Sequence, residues 1–152
     1  MTKIALLATV ALMLATPAFA APSPAAKCRF ATPVEDVTYA QMPASIRNAI
    51  GPMAERDGAF TATDVIEPGE PAPARRVIRA GHRGNDWFVW YEAGGVAYSW
   101  HATAFRLEAS GTPRMLANAL IPVSWDKAAN GWVARTDVCA LIDGALAGRN
   151  PP

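Results

Sequence analysis

The chain has 152 residues, of which 51% are hydrophobic, and it carries 14 lysine and arginine side chains against 13 acidic ones. This length supports one domain with a real core but not two, and the near-zero net charge provides no field to attract nucleic acid or an anionic membrane. The arginines are scattered rather than grouped in a tract, so nucleic-acid binding is disfavoured.

The first 20 residues have the pattern of a secretory signal peptide. Lys3 supplies a positive charge, an apolar run covers residues 4–15, and Ala18-Phe19-Ala20 forms an A-x-A cleavage site. The apolar run is shorter than the about 20 residues that a membrane-spanning helix needs. We therefore expect cleavage after Ala20, export to the periplasm or the medium, and no membrane association of the mature protein.

Both cysteines of the sequence, Cys28 and Cys139, lie in the expected mature protein. An isolated pair in an oxidising compartment typically forms a disulfide, and the pair lacks the C-x-x-C spacing of a redox site. We predict a structural bridge that ties the start of the domain to its C-terminal helix. The predicted organisation is a signal peptide at residues 1–20, a flexible arm at 21–27 and a single globular domain at 28–150.

The first third of the domain is predicted to be helical. A helix is expected from Pro43 to Ile50, because its apolar residues form one stripe and Gly51-Pro52 is a typical stop signal. A second short helix or a turn over residues 53–56 stays open. Residues 67–74 contain three prolines and a glycine, which predicts an extended loop before the sheet.

The middle of the chain is predicted to form an antiparallel meander. A hairpin turn is expected at Gly94-Gly95, because adjacent glycines tolerate the positive φ angles of a primed turn. Residues 114–123 fit a strand or a short helix equally poorly, and a further hairpin is expected around Asn130-Gly131. The main predicted strands cover residues 75–80, 86–92 and 96–107.

The last predicted element is a helix that Thr136 or Asp137 caps and that Gly148 ends. Its apolar residues, from Val138 to Leu146, recur with helical spacing and form one face. The sequence therefore indicates an α+β fold, with an antiparallel β-meander of about four to six strands, one or two N-terminal helices and a C-terminal helix.

The predicted two-residue turn also determines which side chains of the central hairpin share a face. One face is more apolar and is expected to pack against the helices; it holds Trp87, Val89, Tyr91, Tyr98 and Trp100. The other mixes aromatic rings with donors, acceptors and an imidazole, as ligand pockets and protein interfaces do. This candidate binding face consists of Phe88, Trp90, Glu92, Ser99, His101 and Thr103. The alternative interpretation of the same face is a second small core.

No catalytic, metal-binding or cofactor-binding motif stands out, so neither a cofactor nor a metal is predicted. His82 and His101 have no ligand partner at zinc spacing on their own elements. Ser99 lies two residues from His101, roughly 6.5–7 Å along a strand, which predicts no direct hydrogen bond. Asp86 and Glu92 are about 20 Å apart along their strand, too far for the carboxylate pair of a glycosidase.

One local basic cluster surrounds the first predicted strand. Regular alternation places Arg75 and Arg79 on the same strand face, beside the Pro-rich loop. Two such arginines could hold an anionic group, although a solvated strand edge that discourages pairing is the commoner role.

Two functional interpretations remain open from the sequence. The favoured one is a small exported binding or interaction module with a protein partner or a small ligand. The alternative is a small cofactor-free hydrolase or isomerase that uses His101 with Glu92, Asp86 or Tyr98. The sequence assigns no catalytic residue and indicates no oligomeric state.

Overall fold

The computed structural model describes residues 28–63 and 72–149. The predicted signal peptide, the predicted arm and most of the Pro-rich loop lie outside the described residues. The described residues form an α+β fold with an antiparallel meander and two helices. Its elements are β1 (Glu35–Val37), α1 (Ala44–Ile50), β2 (Arg75–Arg83), β3 (Asp86–Ala93), β4 (Ser99–Leu107), β5 (Pro113–Ile121), β6 (Val123–Asp126), β7 (Gly131–Ala134) and α2 (Val138–Leu146).

The strands form two antiparallel sheets. Five of them build a main sheet in the order β1-β2-β3-β4-β5, while β6 and β7 pair as a separate hairpin. The segment 114–123, open between strand and helix, is mostly the edge strand β5. It ends before Pro122, which has no N–H to donate to a ladder. The seven strands within residues 28–63 and 72–149 exceed the predicted number, in part because the three-residue β1 shows no apolar alternation in the sequence.

The predicted N-terminal helix is confirmed as α1. It begins directly after Pro43 and is followed by Gly51, whose φ of 79° favours glycine. A second helix at residues 53–56 is not formed, because the backbone of Ala54 instead bridges to β2: its N–H donates to the carbonyl of Arg75 at 2.8 Å. In the described ranges, no helix is long and apolar enough to cross a bilayer.

The predicted C-terminal helix and the predicted disulfide are both confirmed. Asp137 caps α2 by accepting a hydrogen bond from the Ala140 amide at 3.0 Å. Within α2, the fully buried Cys139 is bonded to Cys28, with the two Cα atoms 5.5 Å apart. The bridge joins residues 111 positions apart and holds the start of the domain against α2.

Both faces of the main sheet are covered by helices, which explains why large aromatic side chains point both ways from its central strands. We call the two sides the α1 face and the α2 face. The α1 face packs Val77, Val89, Tyr91 and Phe105 against Met42, Ile46, Ile50 and Met53. The α2 face packs Ile78, Phe88, Trp90 and Trp100 against Val138, Ile142, Ala145 and Leu146.

Candidate functional site

The β3–β4 hairpin has a longer connection than the sequence predicted. Tyr91 pairs with His101 and Glu92 pairs with Trp100, which leaves the five residues 94–98 between the strands. The predicted two-residue turn, with Trp90 opposite Ser99, is therefore wrong. The predicted turn pairs odd positions of β3 with even positions of β4, whereas the structure pairs odd with odd and even with even. Every β4 side chain therefore lies on the face opposite to the predicted one.

The reason for the error is the role of Gly94. A Cβ atom at this position would come within 2.0 Å of the Thr61 carbonyl oxygen, so the glycine is required by the close approach of residues 61–62. Its neighbour Gly95 adopts a φ of 109° within the longer loop. The glycine pair thus reflects a long-range backbone contact, which local turn rules do not detect.

The predicted binding face is divided between the two sides of the sheet. Phe88, Trp90 and Glu92 lie on the α2 face, whereas Ser99, His101 and Thr103 lie on the α1 face. Phe88 is fully buried against the ring of Phe30, with ring centroids 5.0 Å apart. Thr103 is buried and donates to Asn118 Oδ1 at 3.2 Å. Trp90 and Glu92 are the two members that border a cleft.

The predicted arginine pair is also divided. A β-bulge between Val77 and Arg79 shifts the register of β2 against β3 by one residue. Arg75 therefore lies on the α1 side, where it donates to the Ile50 carbonyl at 2.6 Å. Arg79 lies on the α2 side, where its Nε donates to Asp36 at 2.8 Å. No shared anion site results from these two side chains.

Ser99 and His101 do form a direct contact, contrary to the prediction from strand spacing. Ser99 Oγ lies 3.0 Å from His101 Nε2, so the two side chains together span the distance between their positions along the strand. The imidazole stacks on Tyr91, and burial, followed by the charge of Arg75, lowers the pKa of His101. The pair thus combines a hydroxyl with an imidazole that favours its neutral form.

The two carboxylates proposed as partners of His101 lie away from it and bind other side chains. Glu92 lies on the opposite face, and Asp86 forms a two-point ion pair with Arg106, at 2.6 and 2.8 Å. The imidazole–carboxylate pair of the hydrolase or isomerase interpretation is therefore not assembled.

A cleft of about 910 Å³ lies between the α2 face and the β6–β7 hairpin. Its aromatic walls come from the sheet and from the loop before β4, and the hairpin contributes one further indole. This aromatic cleft is lined by the rings of Trp90, Tyr98, Trp100 and Trp132. Its volume is at the upper end of the roughly 300–1,000 Å³ that ligand pockets occupy.

A chain of hydrogen bonds crosses the cleft wall. Trp100 Nε1 donates to Tyr98 Oη at 2.8 Å, Tyr98 Oη donates to Glu92 Oε2, and Arg76 Nε donates to Glu92 Oε1 at 2.6 Å. The Arg76 guanidinium also lies 4.2 Å from the ring centroid of Phe60. Both oxygens of this buried carboxylate are therefore fixed, and the aromatic rings that flank it are fixed with it.

Tyr98 holds the centre of this chain as a neutral phenol. Burial, reinforced by the hydrogen bond to the Glu92 carboxylate, raises the pKa of Tyr98 well above its usual value. The Tyr98 ring also packs against Trp132, with centroids 5.3 Å apart. The phenol thus links the sheet to the hairpin across the cleft.

Trp90 contributes a buried donor without an acceptor. The side chain is 2% exposed. Among the buried side-chain nitrogens and oxygens of the described residues, its Nε1 lacks a hydrogen-bond partner. An unsatisfied buried donor costs roughly 1–3 kcal/mol. An unpaired donor of this kind is uncommon in folded proteins, and Trp90 places it beside the cleft.

Charged side chains of both signs surround the aromatic walls. Arg29, Arg56 and Asp57 are exposed at the rim. Asp126 and Asp137 also border the cleft, and each uses its Oδ1 atom to accept hydrogen bonds from backbone amides, which orients the carboxylate. The rim therefore offers both donors and acceptors without a dominant charge.

The β6–β7 hairpin carries an exposed tryptophan pair. Trp125 and Trp132 are directly opposite each other, with ring centroids 5.8 Å apart, and are 52% and 41% exposed. Trp132 borders the cleft, whereas Trp125 is not part of its lining. The two rings therefore provide a matched pair for testing the cleft.

Tyr98, Trp100, Trp132 and Arg76 are cleft residues that sequence reasoning did not assign to the candidate site. The first two were placed on the wrong face by the predicted turn. A strand register that pairs Glu92 with Trp100 places Tyr98 and Trp100 beside Glu92, but no local sequence signal selects that register. Trp132 reaches the cleft through the docking of the β6–β7 hairpin, which the sequence pattern does not reveal.

Comparison of the chain with protein-family models, curated proteins and solved structures found no match. In residues 28–63 and 72–149, no group of three or more His, Cys, Asp or Glu side chains is placed to hold a metal ion.

Proposed function

We propose that the protein is a small exported binding module whose ligand site is the aromatic cleft. The observation that carries this proposal is the fixed chain from Arg76 through Glu92 and Tyr98 to Trp100, set among exposed and buried indole rings. An apolar concave surface with a few oriented polar groups is the usual composition of a small-molecule site.

Preorganisation supports binding at this position. Because the Glu92 carboxylate and the Tyr98 hydroxyl are already held by protein partners, a ligand meets rings whose orientation is fixed in advance. The entropy that other sites lose by ordering side chains on binding is then spared. The exposed face of Trp132 adds apolar area that is available before any ligand arrives.

Export is the second part of the proposal. The signal-peptide pattern of residues 1–20 supports it, and so does the disulfide between Cys28 and Cys139, since such bonds persist in oxidising compartments. Expression of the full chain in a bacterium, followed by fractionation and intact mass measurement, tests this part. We expect a periplasmic or secreted product that begins at Ala21 with no free thiol, and a cytoplasmic, full-length, reduced product would contradict it.

Binding in the cleft is tested by a thermal-shift screen of the mature protein against soluble compounds grouped by chemistry: sugars, amino acids, quaternary ammonium salts and aromatic acids. We expect one group to raise the melting temperature of the wild-type protein. The same shift should be lost in Trp132→Ala and kept in Trp125→Ala, because both changes remove a half-exposed indole from one hairpin and only Trp132 borders the cleft.

The Trp132→Ala variant must also keep the fold for this comparison to be decisive. Far-UV circular dichroism and the melting temperature without ligand check it against Trp125→Ala. A shift that survives equally in both variants would place the ligand outside the cleft and contradict the proposal.

A further inference from the structure

The charged side chains around the aromatic cleft offer a ligand both hydrogen-bond acceptors and hydrogen-bond donors. Asp126 and Asp137 border it as carboxylates, which accept hydrogen bonds and cannot donate. Arg29 and Arg56 border it as guanidinium groups, which donate and cannot accept. A hydroxyl group satisfies both demands because it donates one hydrogen bond and accepts others.

Backbone amides fix the orientation of the two carboxylates at the rim. Asp126 Oδ1 accepts from the amides of Ala128 and Ala129, at 2.7 and 3.1 Å, and Asp137 Oδ1 accepts from Ala140. Among the residues that the structure describes, neither Oδ2 atom has a hydrogen-bond donor. A ligand rich in hydroxyl groups would supply donors to these atoms without bringing a charge of its own.

The balance of charges argues against an ionic ligand. Among the residues that the structure describes, four acidic side chains border the cleft, Asp57, Glu92, Asp126 and Asp137, against three arginines, Arg29, Arg56 and Arg76. Glu92 and Arg76 neutralise each other through a direct ion pair. Neither a cation nor an anion therefore meets a strong complementary field.

The aromatic walls need a ligand with flat apolar patches. The rings of Tyr98 and Trp132 are tilted by 32° with centroids 5.3 Å apart, and the buried rings of Trp90 and Trp100 pack edge to face with centroids 5.6 Å apart. The electron-rich face of an aromatic ring attracts the polarised C–H groups of a saturated ring. A sugar ring combines such C–H patches with a rim of hydroxyl groups.

From these demands, which rest on the proposed binding function, we infer that the aromatic cleft binds a neutral oligosaccharide, with Trp132 stacking on a sugar ring and Asp126 accepting from its hydroxyl groups. The cleft volume of about 910 Å³ is large for a single sugar ring. Binding should therefore strengthen with chain length.

Isothermal titration calorimetry of the mature protein tests the inference. The probes are maltotriose, cellotriose and triacetylchitotriose with their monosaccharides, and tetramethylammonium and indole-3-acetate as the cationic and anionic comparisons. We expect one trisaccharide to bind in a one-to-one complex, about tenfold or more tighter than its monosaccharide.

Matched variants localise the binding. Trp132→Ala should weaken the trisaccharide affinity about tenfold or more, because Trp132 would contact the sugar. Trp125→Ala should weaken it less than about twofold, because Trp125 lies outside the cleft lining. Asp126→Asn should weaken affinity several-fold while keeping the fold, because the amide oxygen still accepts from the Ala128 and Ala129 amides.

The possible failures are distinguishable. If tetramethylammonium or indole-3-acetate binds in a manner that depends on Trp132 and no trisaccharide does, the cleft is a ligand site but the oligosaccharide inference is overturned. If no compound of the panel binds with dependence on Trp132, both the inference and the proposed function are overturned.

Discussion

Tyr98 donates a hydrogen bond to Glu92, so that a neutral phenol and a buried carboxylate form one rigid unit at the centre of the aromatic cleft. The same carboxylate accepts from Arg76 at 2.6 Å, and the same phenol accepts from the Trp100 indole. The cleft therefore depends on a hydrogen-bonded network in which no member is replaced without leaving another unsatisfied.

Removal of the phenolic hydroxyl tests this network. Tyr98→Phe leaves one oxygen of Glu92 and the Trp100 N–H without their partner, so the free energy of unfolding should fall by about 1–3 kcal/mol. Urea denaturation measures the change. Tyr39→Phe is the control, since it removes a hydroxyl that donates to the Gly51 carbonyl outside the cleft. Only Tyr98→Phe should also weaken ligand binding, and an equal effect of the two variants on binding would contradict this role.

The disulfide should contribute substantially to stability. Replacing both Cys28 and Cys139 by serine releases a connection across 111 positions, and the free energy of unfolding should fall by about 2–4 kcal/mol. Urea denaturation with and without dithiothreitol measures this. The reductant should reproduce the loss in the wild-type protein and leave the double variant unchanged. Equal stability of oxidised and reduced wild-type protein would refute the prediction.

Stability should depend on the titration of His101. Burial and, second, Arg75 lower the pKa of His101 below its ordinary value of 6.5, so the unfolded chain takes up a proton more readily than the folded protein. The stability that neutral His101 contributes to the folded protein is fully present above about pH 6.5, the ordinary pKa of the unfolded chain. It is lost as the pH falls through the lower pKa of His101 in the folded protein. Urea denaturation between pH 7.5 and pH 4.5, values chosen to bracket about 6.5, should show this loss. His101→Gln should flatten the profile, and an unchanged profile would show that another group is responsible.

Asp143 should be more important for stability than a surface carboxylate. It is 6% exposed and accepts from the Ala31 amide and from Arg83 Nη2, both at 2.6 Å, which ties α2 to β2 and to the N-terminal segment. Asp143→Asn should lower the free energy of unfolding by about 1.5–3 kcal/mol, because the Ala31 amide and the Arg83 guanidinium then lose a charged acceptor.

The matched control is Glu108→Gln, since Glu108 pairs with Arg114 at the surface with both side chains widely exposed. That change should cost less than about 1 kcal/mol. Thermal and urea denaturation compare the two variants. Similar losses in both would mean that burial adds nothing to the Asp143 ion pair.

Elements whose signals are local could be predicted from the sequence. Pro43 and Gly51 bound α1, Asp137 caps α2, and two cysteines leave a single possible pairing. The strong β-forming stretch at residues 86–92 is likewise a strand.

The candidate site could be predicted only in part, because it depends on a connection length. Local turn rules predict Gly94 to be a turn residue, yet its lack of a Cβ is required by the distant Thr61 backbone. The resulting shift moved His101 and Ser99 to the other face and brought Tyr98 and Trp100 beside Glu92. Long-range contacts of this kind decide which faces meet, and residue periodicity does not contain them.

The five tryptophans of the chain offer the most direct test of the aromatic cleft. Trp90, Trp100 and Trp132 border it. Trp87 stacks on His82 of the neighbouring strand and packs on the α1 face, and Trp125 is outside the cleft lining. A ¹H–¹⁵N NMR titration with the trisaccharides named above follows all five indole N–H signals at once. We predict saturable shifts of the three cleft signals, with little change at Trp87 and Trp125. Shifts confined to Trp87 or Trp125, or no shift at any indole, would contradict the assignment of this cleft as the binding site.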